Sequence, residues 1–216
     1  MSFGPFAIGG SPGSAGEGGA VRRASASDVE WISAMLARAF ARDPVASYIF
    51  PTPAVRSARL ERFFELQLRH NYLARGEVYV LDTRVAAAMW MPPKAPEPRA
   101  RDVLAHLALL PLLGFRFLAT RELSLMLAAR HPPVPHYYLG TIGTAPEEQG
   151  RGAGSRLLVP VLARCDATGM PAYLECSKEQ NVRFYSRHGF EVREQVRAPG
   201  GGPPLWLMWR EPLRPG

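Results

Sequence analysis

The run Gln149-Gly150-Arg151-Gly152-Ala153-Gly154-Ser155 is the stretch of this chain best suited to holding a ligand. Its alternating glycines let the backbone bend tightly and bring bare N–H groups against a bound group. The run follows a strand pattern (Tyr138 to Thr144) and opens a helical one (Leu157, Leu158, Val161, Leu162, Cys165). Free N–H groups and a partial positive charge at a helix N-terminus favour a phosphate. Arg151 and Arg156 add charge-assisted contacts. Two common phosphate loops do not fit. A Walker loop needs a lysine that is missing here, and the G-x-G-x-G spacing is not that of a dinucleotide fingerprint. A glycine-rich turn that only caps a helix is the alternative.

A second group of reactive side chains lies downstream. Glu175-Cys176-Ser177 ends a strand, Asn181 to Tyr185 opens a helix, and His188-Gly189-Phe190 closes it. Asn181 and Tyr185 stand four apart and share a helix face. Cys176 has no adjacent base and reads as a packed strand thiol. The five histidines show no HxH or HExxH spacing, and Cys165 and Cys176 make no CxxC, so no metal site is expected. Two cysteines also exclude a disulfide framework and point to a reducing, cytoplasmic setting.

The elements that must position these groups alternate between types. Val21 to Ala24 predicts a short strand. Ser27 and Glu30 fit a capping box before the helical repeat Val29, Ile32, Leu36, Phe40, which Asp43-Pro44 stops. Pro53 opens a second helix with the face Leu60, Phe63, Phe64, Leu68, Tyr72, closed by Gly76. Strands follow at Glu77 to Leu81 and Arg84 to Met91, joined by Asp82-Thr83. A proline connector (Pro92, Pro93, Pro96, Pro98) leads to helical pieces over 100–130, broken near Pro111 and Gly114. Then come a strand at His136 to Thr144, a helix at 150–168 kinked by Pro160, a strand at Ala172 to Cys176, a helix at Asn181 to His188, and strands at Phe190 to Val196 and Leu205 to Arg210. This order predicts one mixed α/β sheet with helices on both faces.

The chain has 216 residues, is 47% hydrophobic and 21% charged, and so can bury one sizeable core. Its net charge is +7, and every basic residue except Lys94 and Lys178 is arginine. The arginines are scattered, which argues against a nucleic-acid arm and suits an anionic small ligand. The most apolar stretch, Val103 to Leu118, contains His106, Pro111, Gly114 and Arg116 and falls short of the ~20 apolar residues of a membrane span. No basic, then apolar, secretory signal opens the sequence. Residues 1–19 read as a flexible glycine-rich tail, and 20–216 as a single domain with a helical insert at about 98–130.

Taken together, the glycine loop and the downstream group resemble the GNAT family of acetyl-CoA-dependent N-acetyltransferases. Gln149, Gly152 and Gly154 match the family's pyrophosphate loop, and Asn181, Tyr185, Gly189 and Phe190 its later Asn…Tyr…Gly-Phe pattern. The resemblance is firmest over 136–211 and reaches back to Phe40, Asp43-Pro44 and Pro51. The runs Tyr138 to Pro146, Leu174 to Ser177 and Leu207 to Arg210 are similar to antibiotic-modifying members of the puromycin N-acetyltransferase type. The resemblance implies a mostly antiparallel sheet of about seven strands, splayed between the fourth and fifth. It implies acyl-CoA N-acyltransferase activity: direct transfer of acetyl from acetyl-CoA to a primary amine of a small molecule, without a metal. A protein or peptide amine as acceptor, and a CoA-binding regulatory module without turnover, are the alternatives. Neither nucleic acid nor membrane is expected as a partner, and the chain is expected as a monomer or homodimer.

The resemblance also assigns roles. The loop Gln149, Gly150, Arg151, Gly152, Ala153, Gly154 and Ser155 would clamp CoA, and the backbone of Ile142, Gly143 and Thr144 would pair with its pantetheine arm. An unpaired strand N–H at the splay would serve the tetrahedral oxyanion. Tyr185 would act on the departing thiolate as proton donor. The base is Glu175 or His136; Tyr138 stands where some members carry a glutamate. Asn181 either bonds the CoA arm or caps its own helix. Asp43, Tyr48, Phe50 and Phe64 are candidates for the acceptor pocket.

Overall fold

The computed structural model describes residues 6–7, 19–96 and 106–213. Its strands are β1 (Phe6–Ala7), β2 (Val21–Arg23), β3 (Glu77–Leu81), β4 (Ala86–Met91), β5 (Tyr137–Thr144), β6 (Ala172–Cys176), β7 (Glu191–Arg197) and β8 (Pro204–Arg210). They form one sheet in the order β2-β3-β4-β5-β6-β8-β7, with β1 joining β5 off that path. Along the path every pair is antiparallel except β5–β6. Counted from β2, these two are the fourth and fifth strands. Their ladder runs only from Tyr137↔Ala172 to Leu139↔Leu174, after which the strands part. This is the splayed, mixed sheet that the resemblance implies.

The helices are α1 (Val29–Phe40), α2 (Pro44–Ile49), α3 (Pro53–Gln67), α4 (Phe117–Ala128), α5 (Ala153–Thr168) and α6 (Glu179–Ser186). A π turn over Leu68–Tyr72 extends α3. The apolar repeat Val29, Ile32, Leu36, Phe40 is buried against one face of the sheet, as are Leu60, Phe63, Phe64, Leu68 and Tyr72. On the other face, Leu157, Leu158, Val161 and Cys165 of α5 pack with Phe184 and Tyr185 of α6 on Leu139, Leu174 and Met208. Pro160 lies inside α5, which continues past it. Arg210, 3% exposed, joins the pieces at one end: it donates to both carboxylate oxygens of Asp166 on α5 (2.7 and 2.8 Å) and to the carbonyl of His188 after α6.

Three local features differ from expectation. The capping box forms two residues early, at Ser25 and Asp28 instead of Ser27 and Glu30: the Ser25 N–H donates to Asp28 Oδ2 at 2.8 Å. A 3-10 turn over Ala26–Asp28 precedes α1, and the Asp28 carboxylate is further held by Arg22 and the Trp31 indole N–H. Asp43-Pro44 starts a helix as well as ending one. The Asp43 carboxylate accepts from the N–H groups of Val45 and Ala46, and Pro44 is at the first helical position, where its missing N–H costs nothing. Within the segment read as a tail, Phe6–Ala7 pairs with β5. Pro98 and the first part of the insert lie outside the described residues; from His106 the insert is a short turn, the helical piece Leu110–Leu113, and α4 after Gly114.

Candidate active site

The site begins with a fault in β5. Against β4, Met89 pairs with Thr141 but the next residue, Trp90, pairs with Leu139, so Gly140 is an extra residue in the ladder. A bulge of this kind flips the alternation of side chains beyond it. Leu139 and Ile142, three apart, accordingly point to the same face. Gly140 must be glycine: an added Cβ would lie 1.8 Å from the Tyr72 hydroxyl, whose ring is buried in the π turn. Past the bulge, α1 presses on the backbone, and a Cβ on Gly143 would meet Leu36 at 2.6 Å. Ile142, Gly143 and Thr144 run along the gap that β6 leaves, where Ile142 is paired with Ala7 of β1.

The glycine loop follows directly. Gln149 turns its amide inward and donates to the Thr144 carbonyl at 3.2 Å. Gly150 and Gly152 have φ of +85° and +80°, conformations that side chains resist, and Gly152 caps α5 with no side chain bonded to its first N–H groups. Those N–H groups of Ala153, Gly154 and Ser155 face outward from the helix start, the arrangement that receives an anion. Gly154 packs against the Phe184 ring. Arg151 is exposed and paired with Glu148 at 3.0 Å, while Arg156 donates to the carbonyl of Gly19.

On the α6 side, Asn181 and Tyr185 are both buried on one helix face. The Tyr185 side chain is fully buried between Phe184 (5.0 Å) and Phe190 (6.1 Å), and its hydroxyl has no hydrogen-bond partner among the described residues. Burial first, then nearby Cys176 and Asp43, hold its phenol well above the ordinary value. The Cys176 thiol donates to the Lys178 carbonyl at 3.0 Å.

The opposite side of β6 carries a carboxylate. Glu175 is buried, and the Tyr138 hydroxyl donates to its Oε2 at 2.7 Å across the parallel pair. Burial pushes its carboxyl up to about 7, although the bond from Tyr138 pulls the other way. His131 Nδ1 faces Oε1 at 4.0 Å, and the two histidine rings meet at 3.1 Å between their Nε2 atoms. His136 Nδ1 is bonded to the Val134 carbonyl (2.7 Å), so it must carry a hydrogen. Its Nε2 is then an acceptor, His131 Nε2–H donates to it, and the lone pair of His131 Nδ1 points at Glu175. Burial lowers both imidazoles, His131 to about 4, so both are neutral near pH 7. Sequence reasoning missed His131 in this role. Its only signal was its closeness to His136.

The residues expected to line an acceptor pocket are otherwise engaged. Phe50 and Phe64 are core side chains, Asp43 caps α2 and accepts from Ser177 at 2.6 Å, and Tyr48 donates to the Pro199 carbonyl. A cavity of ≈ 290 Å³ lies instead beside the Glu175 cluster, with Tyr173, Leu207 and Trp209 as its apolar wall. Its rim carries the ion pair of Arg130 with Glu194, and Arg193 with Glu211. No group of His, Cys, Asp and Glu among the described residues could hold a metal ion. No helix among them is long and apolar enough to cross a membrane.

Comparison with known proteins bears on this geometry. Residues 113–190 match the protein-family model described as the acetyltransferase (GNAT) family. An uncharacterized N-acetyltransferase of Schizosaccharomyces pombe is 35% identical over 78 residues, which cover 35% of this chain and 32%, about a third, of the yeast protein. The crystal structure of histone acetyltransferase HPA2 and related acetyltransferase from Corynebacterium glutamicum is 29% identical, with a TM-score of 0.70 over 92% of this chain and 99% of that one. The polyamine N-acetyltransferase of Drosophila melanogaster shares the fold at 17% identity and a TM-score of 0.52, over 89% of this chain and 99% of its own.

Proposed function

We propose, from the GNAT acetyltransferase fold that this chain carries, that it is an acyl-CoA N-acyltransferase moving acetyl from acetyl-CoA to a primary amine of a small molecule. One observation carries the reading: two buried groups flank the parting of β5 and β6 from opposite faces. They are the partnerless Tyr185 phenol and the Glu175 carboxyl at about 7. Native structures rarely leave a buried hydroxyl unbonded, so this one fits a donor reserved for a ligand atom. A carboxyl near 7 fits a base that works at neutral pH.

In this reading the loop 149–155 holds the diphosphate of CoA, the backbone of Ile142 to Thr144 pairs with the pantetheine arm, and Asn181 stands beside it. A phenol of ordinary pKa ~10 gives its proton to a thiolate of ~8.5 only at about 2 kcal/mol uphill. Burial raises Tyr185 further. Tyr185 therefore acts through a hydrogen bond that strengthens as charge grows on the departing sulfur. Glu175 takes the proton of the ammonium. Tyr138 donates to Oε2, and Oε1, which faces the neutral His131 ring at 4.0 Å, is the oxygen that takes that proton. The His131 side chain is 38% exposed and lies as a neutral ring between this carboxyl and solvent, with His136 as the positioning residue that fixes its tautomer.

The cavity beside Tyr173 supports an acceptor of small size with an apolar or aromatic body. The similarity of 138–146 to antibiotic-modifying enzymes makes aminonucleosides and aminoglycosides the first amines to try. The test is release of free CoA from acetyl-CoA across such a panel. Amine-dependent release supports the reading. CoA binding without release from any amine leaves the regulatory alternative, and a chain that neither binds nor releases CoA overturns it.

A further inference from the structure

The short strand β1 lies in the parting of the sheet. Phe6 pairs with Thr141 and Ala7 with Ile142, in parallel, and the segment also contacts β6. The β5–β6 ladder has ended two residues earlier on β5, at Leu139 and Leu174, so β1 occupies the gap between the two strands. A backbone N–H or C=O on a strand edge pairs with one neighbour at a time. Of the residues assigned above to the pantetheine arm, β1 takes Ile142.

A second contact leads to the same place. The carbonyl of Gly19 accepts from Arg156 in the first turn of α5. Arg156 is one of the two arginines beside the phosphate loop. Residues 6–7 and Gly19 thus meet the path assigned to acyl-CoA at two places, Ile142 and Arg156.

We propose that the gap between β5 and β6 is a binding site for an extended peptide strand as well as for acyl-CoA, that residues 6–7 of this chain are its resident occupant, and that acyl-CoA binds by displacing them. The chemistry is that of strand addition: main-chain hydrogen bonds supply the attraction, so the pantetheine amides and a peptide present the same groups. A tether as short as residues 8–18 gives the segment an effective concentration in the ~mM range, enough for a two-residue ladder to compete. The proposal rests on the reading that acyl-CoA lies along 142–144.

Calorimetric titration with CoA tests it without needing the acceptor. The full chain, a chain lacking residues 1–18, and full-length Ala7→Pro are compared. Proline at position 7 has no N–H to offer and fixes its own φ, which disfavours the two-residue ladder in an otherwise complete protein. Deletion should tighten CoA binding by about five-fold or more, because the competent state no longer has to be uncovered, and Ala7→Pro should reproduce part of that gain. A synthetic peptide of residues 1–12 should weaken CoA binding to the shortened chain. If the deletion misfolds, the proline variant decides, with the peptide titrated against that variant in place of the shortened chain. Unchanged or weaker CoA binding in both variants overturns the proposal and leaves the acetyltransferase reading standing. Absence of CoA binding in every form overturns both.

Discussion

At the scale of single residues, Glu175 and Tyr185 make separable predictions. The folded Glu175 carboxyl lies near 7, above its ordinary 4.5, so the folded chain keeps a proton that the unfolded chain releases. Stability from this group is therefore full below about 4.5 and is lost as pH rises to about 7. Activity should do the reverse, with kcat/KM rising through that upper value as the base becomes free. Glu175→Gln should lower kcat/KM by ~10²–10³ and abolish the rising limb. It should also remove the fall in urea midpoint between acid and neutral pH. A retained limb would assign the base elsewhere. Tyr185→Phe should lower kcat by ~10²–10⁴ with CoA affinity retained. Because the hydroxyl is buried and unbonded, the same change should leave stability equal or raise it by about 1 kcal/mol. A large loss of stability would mean the phenol is bonded within the fold.

At the scale of elements, the β5 bulge and the π turn after α3 form one device. Gly140 leaves room for Tyr72, and Tyr72 fills the space that keeps the bulge in place. Gly140→Ala should cost about 1–3 kcal/mol by overpacking a side chain that has nowhere to move. Combining it with Tyr72→Ala should recover part of the loss, and a denaturant double-mutant cycle reads the coupling. Additive losses would show that the two elements do not meet as described.

At the scale of the whole molecule, the +7 charge is carried almost wholly by arginine and favours an anionic ligand such as CoA. Raising salt from ~50 to ~300 mM should weaken CoA binding several-fold in calorimetry, through screening of those arginines. A flat response would confine recognition to the loop N–H groups. The parts of the site legible in the sequence are those encoded over a few neighbouring residues. The glycine loop is a local backbone pattern, and Asn181 with Tyr185 is a helical spacing. Glu175 with Tyr138 is 37 residues apart and depends on a parallel register, so the bond was not legible, nor was the neighbouring place of His131. The helix α2 was hidden because Asp43-Pro44 carries a stop and a start in one dipeptide. Strand β1 is two residues long, too short for an alternation to be read from the sequence.

Both cysteines, Cys165 and Cys176, are buried, and burial pushes their thiols up to about 11 and about 12. A disulfide dye such as Ellman's reagent will consequently find nothing to modify in the native protein. Every increment of colour during turnover then counts one molecule of released coenzyme, and a second, slower rise on heating marks the moment the fold opens.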